Sequence, residues 1–247
     1  MLPSKIKTLF VTAVHLLFAA CLYVFGIVII GLAIFPSILL IYYVWTHTIS
    51  CSLILRLFLI CFTLASAYFI YGFSLILILG FLRTVLKLNL REGEYHIASI
   101  GMMRWMFINA LFYLVAITFM DFILLTPLSV IFFRMMGAKV GRNVQINSKN
   151  CADLSLLEIG DNSVIGGHAT VICHSFERGR LILRKVKIGK NVVIGLNSVV
   201  LAGAEIGDGA FITAGTVLGK NKQVEPHSVY AGVPAESTKE RREHDKQ

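Results

Sequence analysis

Charged side chains are missing from long stretches of the first half of the chain. None occurs between Lys7 and Arg56 or between Arg56 and Arg83, and a third apolar run, 105–133, is interrupted by Asp121 and Pro127. A bilayer-crossing helix needs roughly 20 apolar residues. Residues 8–47 are therefore predicted to hold two passes meeting near Gly26–Gly31, and residues 57–82 one tilted pass. No run has the short apolar core and small-residue cleavage site of a signal peptide. Asp121 is placed near an interface, where water or a backbone group satisfies it; the alternative is a functional carboxylate at membrane depth. Lys/Arg-rich segments favour the cytosol, and both the amino terminus (Lys5, Lys7) and the 83–104 segment (Arg83, Lys87, Arg91, Arg104) qualify. Three passes before Arg83 would put these on opposite sides, so either residues 50–82 turn back within the bilayer or the rule is broken.

The second half follows a different period. From Ile188, steps of six residues give Ile194, Val200, Ile206, Ile212, Leu218, Val224 and Tyr230; upstream, Ile159, Ile165 and Val171 keep the step, as do Val140 and Ile146. Glycine follows the aliphatic residue at 141, 160, 166, 189, 195, 207 and 219. A small or β-branched residue stands four after it at Ser163, Ala169, Ser175, Val192, Ser198, Ala204, Ala210, Thr216 and Ser228. Period six fits neither 3.6 nor 3.5, which excludes a helix. It predicts a solenoid of short parallel strands, with the aliphatic residue inside, the small residue packed beside it, and the glycine permitting the corner between flat faces.

Composition sharpens this division. The 247 residues are 56% hydrophobic and only 15% charged, with a net charge of +9. Soluble domains carry about 25% charged residues, so a wholly soluble protein is excluded. Residues 1–133 hold seven Lys/Arg and three acids, whereas residues 134–247 hold sixteen and eleven. The expected organisation is α+β: a multi-helix transmembrane domain (1–133), a parallel β-helix (134–235), and a charged tail (236–247) that is a frayed helix or disordered. Cys21, Cys51, Cys61, Cys151 and Cys173 form no C-x-x-C pair, which fits a reducing, cytosol-facing compartment for the soluble half. No aromatic-interleaved basic stripe accompanies the positive charge, so no nucleic-acid partner is expected.

The runs I-G-D-N-S-V-I-G-G-H-A-T-V, V-K-I-G-K-N-V-V-I-G-L-N-S-V-V and I-G-D-G-A-F-I-T-A-G-T-V-L, with the ending V-Y-A-G-V-P-A, resemble the hexapeptide-repeat acyltransferases over about residues 137–235. The resemblance implies a left-handed parallel β-helix with three hexads per coil, assembly as a homotrimer, and an acyl-CoA donor, with acetyl-CoA the expected one. A narrower likeness, in L-R-E-G-E-Y (90–95), Arg104-Trp105 and F-F-R-M-M-G-A-K-V-G-R-N-V (132–144), is to the membrane-bound acyltransferase-like units of poly-ε-lysine synthetase-type proteins, which join apolar helices to one β-helix.

The period breaks once. Val171 to Ile188 spans 17 residues, one short of a full coil, and the stretch 176–187 is basic. Such a break marks a surface excursion, where binding groups are usually placed. Cys173-His174-Ser175 stands immediately before it. The resemblance implies that His174, at the position of the family's histidine ahead of this loop, is the general base. A hydroxyl or amine attacking a thioester must lose a proton, and an imidazole can take it near neutral pH; the alternative is a surface histidine ending a strand. His168, six residues earlier, is expected to face solvent on the adjacent face. Ser175 should point away from its neighbour His174, so direct transfer without a covalent intermediate is expected. The family's coenzyme A groove maps onto Ala202, Gly203, Ala214, Gly215 and Thr216. Lys220, Lys222, Arg184, Lys185 and Lys187 are candidates for its phosphates, with corner packing and solvated charge as the plainer explanations. The histidine spacing does not supply the three protein ligands of a catalytic zinc site, so no metal is expected.

The sequence thus points to an integral membrane acyltransferase with its β-helix on the cytosolic side, acting on a hydroxyl or amine of a lipid-linked or membrane-associated acceptor. Amide-bond formation on amino-acid-derived substrates, a non-catalytic trimeric membrane scaffold, and a zinc hydratase are the alternatives.

Overall fold

The computed structural model describes residues 4–238. Two compact units divide the chain, Met1–Leu82 and Arg83–Gln247. The first holds α1 (Ser4–His47) and most of α2 (Leu53–Val85). Instead of two passes meeting at Gly26–Gly31, α1 is one unbroken helix that also carries Pro36. A glycine within a helix costs only about 0.5–1 kcal/mol relative to alanine, too little to force a turn at either glycine. The helices touch through small residues: Ala33 and Ala67 are buried, and Ser37 Oγ donates to the Ala67 carbonyl at 2.6 Å. Arg56 lies over the Trp45 ring at 4.2 Å. Most other apolar side chains of this unit point outward, Ile27 at 71% and Ile54 at 83% exposure. Small residues inward and large apolar ones outward is the pattern of helices whose solvent is lipid. Three helices are long and apolar enough to cross a membrane: Thr12–His47 of α1, α2, and α3 (Ile100–Thr118).

The second unit opens with a short strand, Gly93–His96, followed by α3, α4 (Met120–Ile123) and α5 (Pro127–Met135). Composition places these helices with the membrane region, yet they belong to the same compact unit as the coil. Their buried side chains, Phe112, Phe119, Phe132 and Phe133 among them, form an aromatic core in which Phe112 stacks on Phe132 at 6.0 Å.

The coil has three faces of parallel strands, each strand two or three residues long. The first face runs Lys139–Val140, Leu157–Ile159, Val186–Ile188, Glu205–Ile206 and Gln223–Val224. The second runs Gln145–Ile146, Val164–Ile165, Val193–Ile194, Phe211–Ile212 and Val229–Ala231, and the third Thr170–Val171, Val199–Val200 and Val217–Leu218. The ladder from Ile146 to Tyr230 points inward and is buried throughout, and so are Ser163, Ala169, Val192, Ser198, Ala204, Ala210, Thr216 and Ser228. Ser175 leaves that column because the period has already broken there.

The repeated glycines serve a different purpose from the expected corner. The left-handed corner positions are filled by other residues, Asn143, Asn162, His168, Asn191, Asn197, Asn221 and His227, with a separate set of glycines at Gly203, Gly209 and Gly215; Asn tolerates that backbone and glycine adopts it freely. The repeated glycines lie where successive coils nearly touch. A Cβ on Gly166 would meet the Ile194 carbonyl oxygen at 2.5 Å, and one on Gly160 would meet the Gly189 backbone at 2.6 Å. Gly166→Ala is therefore expected to cost about 1–3 kcal/mol, the range for overpacking, measurable as a lowered thermal midpoint.

The break in period is also different in kind. Strand partners are 18 residues apart from Val193 to Phe211 to Val229, but 29 apart from Val164 to Val193. Eleven residues are inserted into one corner, rather than one being lost from a coil. They form an antiparallel hairpin, His174–Glu177 with Arg180–Leu183, whose outer strand pairs with Gly93–His96. At the other end, the first two residues of the expected tail, Glu236–Ser237, pair with Tyr230–Ala231; residues 239–247 lie outside the described residues.

Candidate active site

Asp121 is an exposed carboxylate paired with Lys149 Nζ at 2.6 Å. The buried carboxylate is Asp153, 1% exposed. It stands where the first coil slips: Val140 pairs with Ile159, 19 residues on instead of 18, and a 3₁₀ turn, Leu154–Leu156, takes up the extra residue. Asp153 itself adopts the left-handed conformation (φ 59°, ψ 40°) at the start of that turn.

Both carboxylate oxygens are saturated. Oδ1 accepts from Trp105 Nε1 at 2.6 Å and from Asn109 Nδ2 at 2.9 Å. Oδ2 accepts from the Cys173 amide at 3.1 Å and from His174 Nδ1 at 2.6 Å. Trp105 and Asn109 are four residues apart and so share one face of α3; Asn109 also accepts from the Asp153 amide at 3.3 Å. With four donors converging on it, each Asp153 oxygen serves as an acceptor only. His174 must therefore carry its proton on Nδ1, leaving Nε2 as the basic nitrogen. The His174 side chain is 20% exposed. The Trp105 ring meets it edge-on at 4.9 Å, and Phe176, 51% exposed, lies edge-on to both rings, 5.5 Å from Trp105 and 6.0 Å from His174.

The thiol next to this pair is inert. Burial and the Asp153 charge push Cys173 well above its usual range, and burial pushes Cys151 up to about 12. A protonated thiol is a poor nucleophile, so Cys173→Ala is expected to retain acyl transfer within a few-fold of the parent in a steady-state assay. Ser175 Oγ donates to Glu177 Oε1 at 3.0 Å. His168 is exposed at a corner of the coil.

Of the other candidates, Arg184, Ala202 and Lys220 line one cleft of about 200 Å³, together with Ser175, Glu177 and Asn221. Gly203 lies at the same corner, its α-carbon facing Asn221 and the Arg184 stem. Lys220 Nζ donates to Glu177 at 2.5 Å, and this contact, followed by that from Ser175, holds the Glu177 carboxyl below the usual carboxylate range. Lys185 and Lys187 are turned to the first face, where they pair with Glu158 at 3.6 Å and Glu205 at 2.7 Å; Lys222 lies near the Tyr230 ring. Ala214, Gly215 and Thr216 occupy the corner between the second and third faces, with Thr216 buried and bonded to Thr213. Among the described residues, no three His, Cys, Asp or Glu side chains converge as a metal-holding group. Asp153, Trp105 and Asn109 were not among the expected site residues.

The family model for the hexapeptide repeat of succinyl-transferase matches residues 185–220. Delta-poly-L-ornithine synthetase of Acinetobacter baumannii is 26% identical over 183 residues, which is 72% of this chain and 13% of that protein. Galactoside O-acetyltransferase of Escherichia coli is 32% identical over 115 residues, 43% of this chain and 56% of that protein. The chain thus spans an eighth of the first relative and little more than half of the second. A solved galactoside acetyltransferase in complex with coenzyme A is 25% identical with a TM-score of 0.39, covering 48% of this chain and 72% of that one. By its six-residue repeat and by these relatives, the chain resembles the hexapeptide-repeat acyltransferases.

Proposed function

We propose that this protein is a membrane-anchored acyltransferase that moves an acyl group, acetyl in the first instance, from coenzyme A to a hydroxyl or amine of a membrane-associated or lipid-linked acceptor. The observation that carries the proposal is the Asp153–His174 pair at the hairpin corner, with Nε2 left free to accept a proton. The acceptor's oxygen or nitrogen attacks the thioester carbonyl while Nε2 takes its proton. The Asp153 carboxylate, bonded to Nδ1, stabilises the imidazolium that forms. The tetrahedral adduct then collapses, the carbon–sulfur bond breaks, and the proton passes from His174 to the leaving thiolate. A group with one free nitrogen can perform both transfers in turn.

In this proposal coenzyme A runs past Ala202 and Gly203, with Arg184 and Lys220 facing its phosphates; Ala214–Thr216, Lys185 and Lys222 would border the groove only with a second copy of the coil beside it. A left-handed homotrimer supplies that copy. It is supported by the outward columns: the second face shows Val164, Val193, Phe211 and Val229 and the third Val199 and Val217, whereas the first is a Lys139–Glu158 and Lys187–Glu205 ladder. Residues 1–133 would act as the membrane region and 134–235 as the catalytic coil, on the cytosolic side. The amide-forming alternative shares this chemistry and differs only in the nucleophile.

Incubating the purified protein with acetyl-CoA and a panel of hydroxyl and amine acceptors tests the proposal. Acceptor-dependent release of free coenzyme A is expected, and the preferred panel separates ester from amide formation. Release that His174→Ala leaves unchanged would overturn the base assignment, and failure to bind acyl-CoA would favour a scaffold. Because Glu177 occupies Lys220, Glu177→Gln is expected to free the cation and lower the KM for acetyl-CoA. Exposed ion pairs are weak, so the change should be only about two- to fivefold, read from initial rates.

A further inference from the structure

By length and composition α3 could cross a bilayer, but its attachments forbid it. Along its first half, Trp105 and Asn109 bond to Asp153 of the coil. Just past its end, Asp121 pairs with Lys149 and the Leu125 amide donates to the Ile146 carbonyl at 3.0 Å. Further on, the Arg134 guanidinium donates to the carbonyls of Val140 and Gly141 at 3.0 and 2.6 Å. Nineteen helical residues span about 28 Å, close to the whole hydrocarbon thickness. Were α3 to cross, its two ends would lie on opposite sides while both hold the same coil, drawing Lys149, Asp121 and Arg134 into lipid at several kcal/mol for each charge. The face of α3 turned away from the coil is nonetheless apolar, with Tyr113 and Ile117 50% and 77% exposed. Phe122, Leu125, Leu128 and Ile131 continue that exposure along α4 and α5.

We propose that α3 lies along the membrane surface, and that α3–α5 form a platform sunk into the headgroup boundary by Tyr113, Ile117, Phe122, Leu125, Leu128 and Ile131. The chain then crosses the bilayer twice, through α1 and α2. An even number of crossings puts Lys5 and Lys7 on the same side as Arg83, Lys87, Arg91 and Arg104, which removes the conflict with the distribution of positive charge. Since Trp105 on this platform bonds the carboxylate that holds His174, the base sits at the bilayer surface, where the head of a lipid-linked acceptor is presented. This inference rests on the membrane anchoring proposed above and assigns the acceptor's location.

The test uses the full chain with Cys21, Cys51 and Cys61 replaced by alanine, reconstituted in sealed vesicles with one added cysteine, Ala98→Cys before α3 or Lys190→Cys in the coil. A membrane-impermeant maleimide is expected to label both from the same side and neither from the other. Labelling from opposite sides would overturn the inference while leaving anchoring intact. A nitroxide at Ile117→Cys is expected to report a shallow depth; a depth at the bilayer centre, or a site shielded by a second copy or by α1 and α2, would overturn the platform. Recovery of the parent chain in the soluble fraction would instead overturn the anchoring on which the inference rests.

Discussion

His174→Asn is expected to lower kcat for acetyl transfer by about 10²–10⁴-fold, the usual contribution of a positioned general base, with KM for acetyl-CoA nearly unchanged. Asparagine is the informative replacement. Its side-chain amide can still donate to Asp153 Oδ2, where Nδ1 now donates at 2.6 Å, so the buried carboxylate keeps its fourth partner. What disappears is the second ring nitrogen, the group proposed to take the acceptor's proton. A fall in kcat without a matching rise in KM marks an interaction made in the transition state. Steady-state kinetics with a thiol-trapping readout of released coenzyme A measures both.

The second large effect is at Asp153. Asp153→Asn exchanges one acceptor oxygen for a donor in a site where Trp105, Asn109, the Cys173 amide and His174 all donate. Each buried donor left without an acceptor costs about 1–3 kcal/mol, so the variant should be less stable as well as slower. The rate effect has its own cause. Without an ionised acceptor at Nδ1, the imidazole can move its proton to Nε2 and lose its basic nitrogen; the corresponding change in the serine-protease triad costs about 10⁴ in kcat. Asp153 is a positioning residue, acting through His174, so the two substitutions should be strongly non-additive. In the His174→Asn background, Asp153→Asn should slow the residual rate by far less than it slows the parent. Equal losses in both backgrounds would show that Asp153 acts by fold stability alone.

The coil was legible because one physical constraint repeats. A narrow interior admits one aliphatic residue per hexad, and that column from Ile146 to Tyr230 is the buried one. The glycine column was visible but its cause was not, because contact between successive coils depends on a residue 28 or 18 positions away rather than on the local backbone. The small cluster at Ala214–Thr216 repeats that at Ala202–Gly203 after twelve residues, but a coil of three hexads returns to the same corner only after eighteen. Lys220 and Asn221 are therefore the true neighbours of Ala202 and Gly203.

Asp153 left a fainter trace. Ile146 to Ile159 is 13 residues where two hexads would take 12, and the surplus residue is accommodated by the turn that Asp153 opens. Asn109, a lone amide in an apolar helix four residues after Trp105, was the complementary trace. Pairing the two required knowing that α3 packs on the first coil, a long-range fact with no local period to announce it. The continuity of α1 was illegible for a different reason: a glycine weakens a helix by only about 0.5–1 kcal/mol, so Gly26 and Gly31 carry no obligatory turn, and the sequence alone does not say whether the chain bends there.

The central claim is that His174, oriented by Asp153, meets the thioester at the hairpin corner. A structure of the purified protein with coenzyme A bound tests it most directly. The thiol end is expected beside His174 Nε2, directly or through one water, with the pantetheine arm along Ala202 and Gly203. Coenzyme A lying instead along the Lys139–Glu205 face, or an imidazole closed off from the bound thiol, would contradict it.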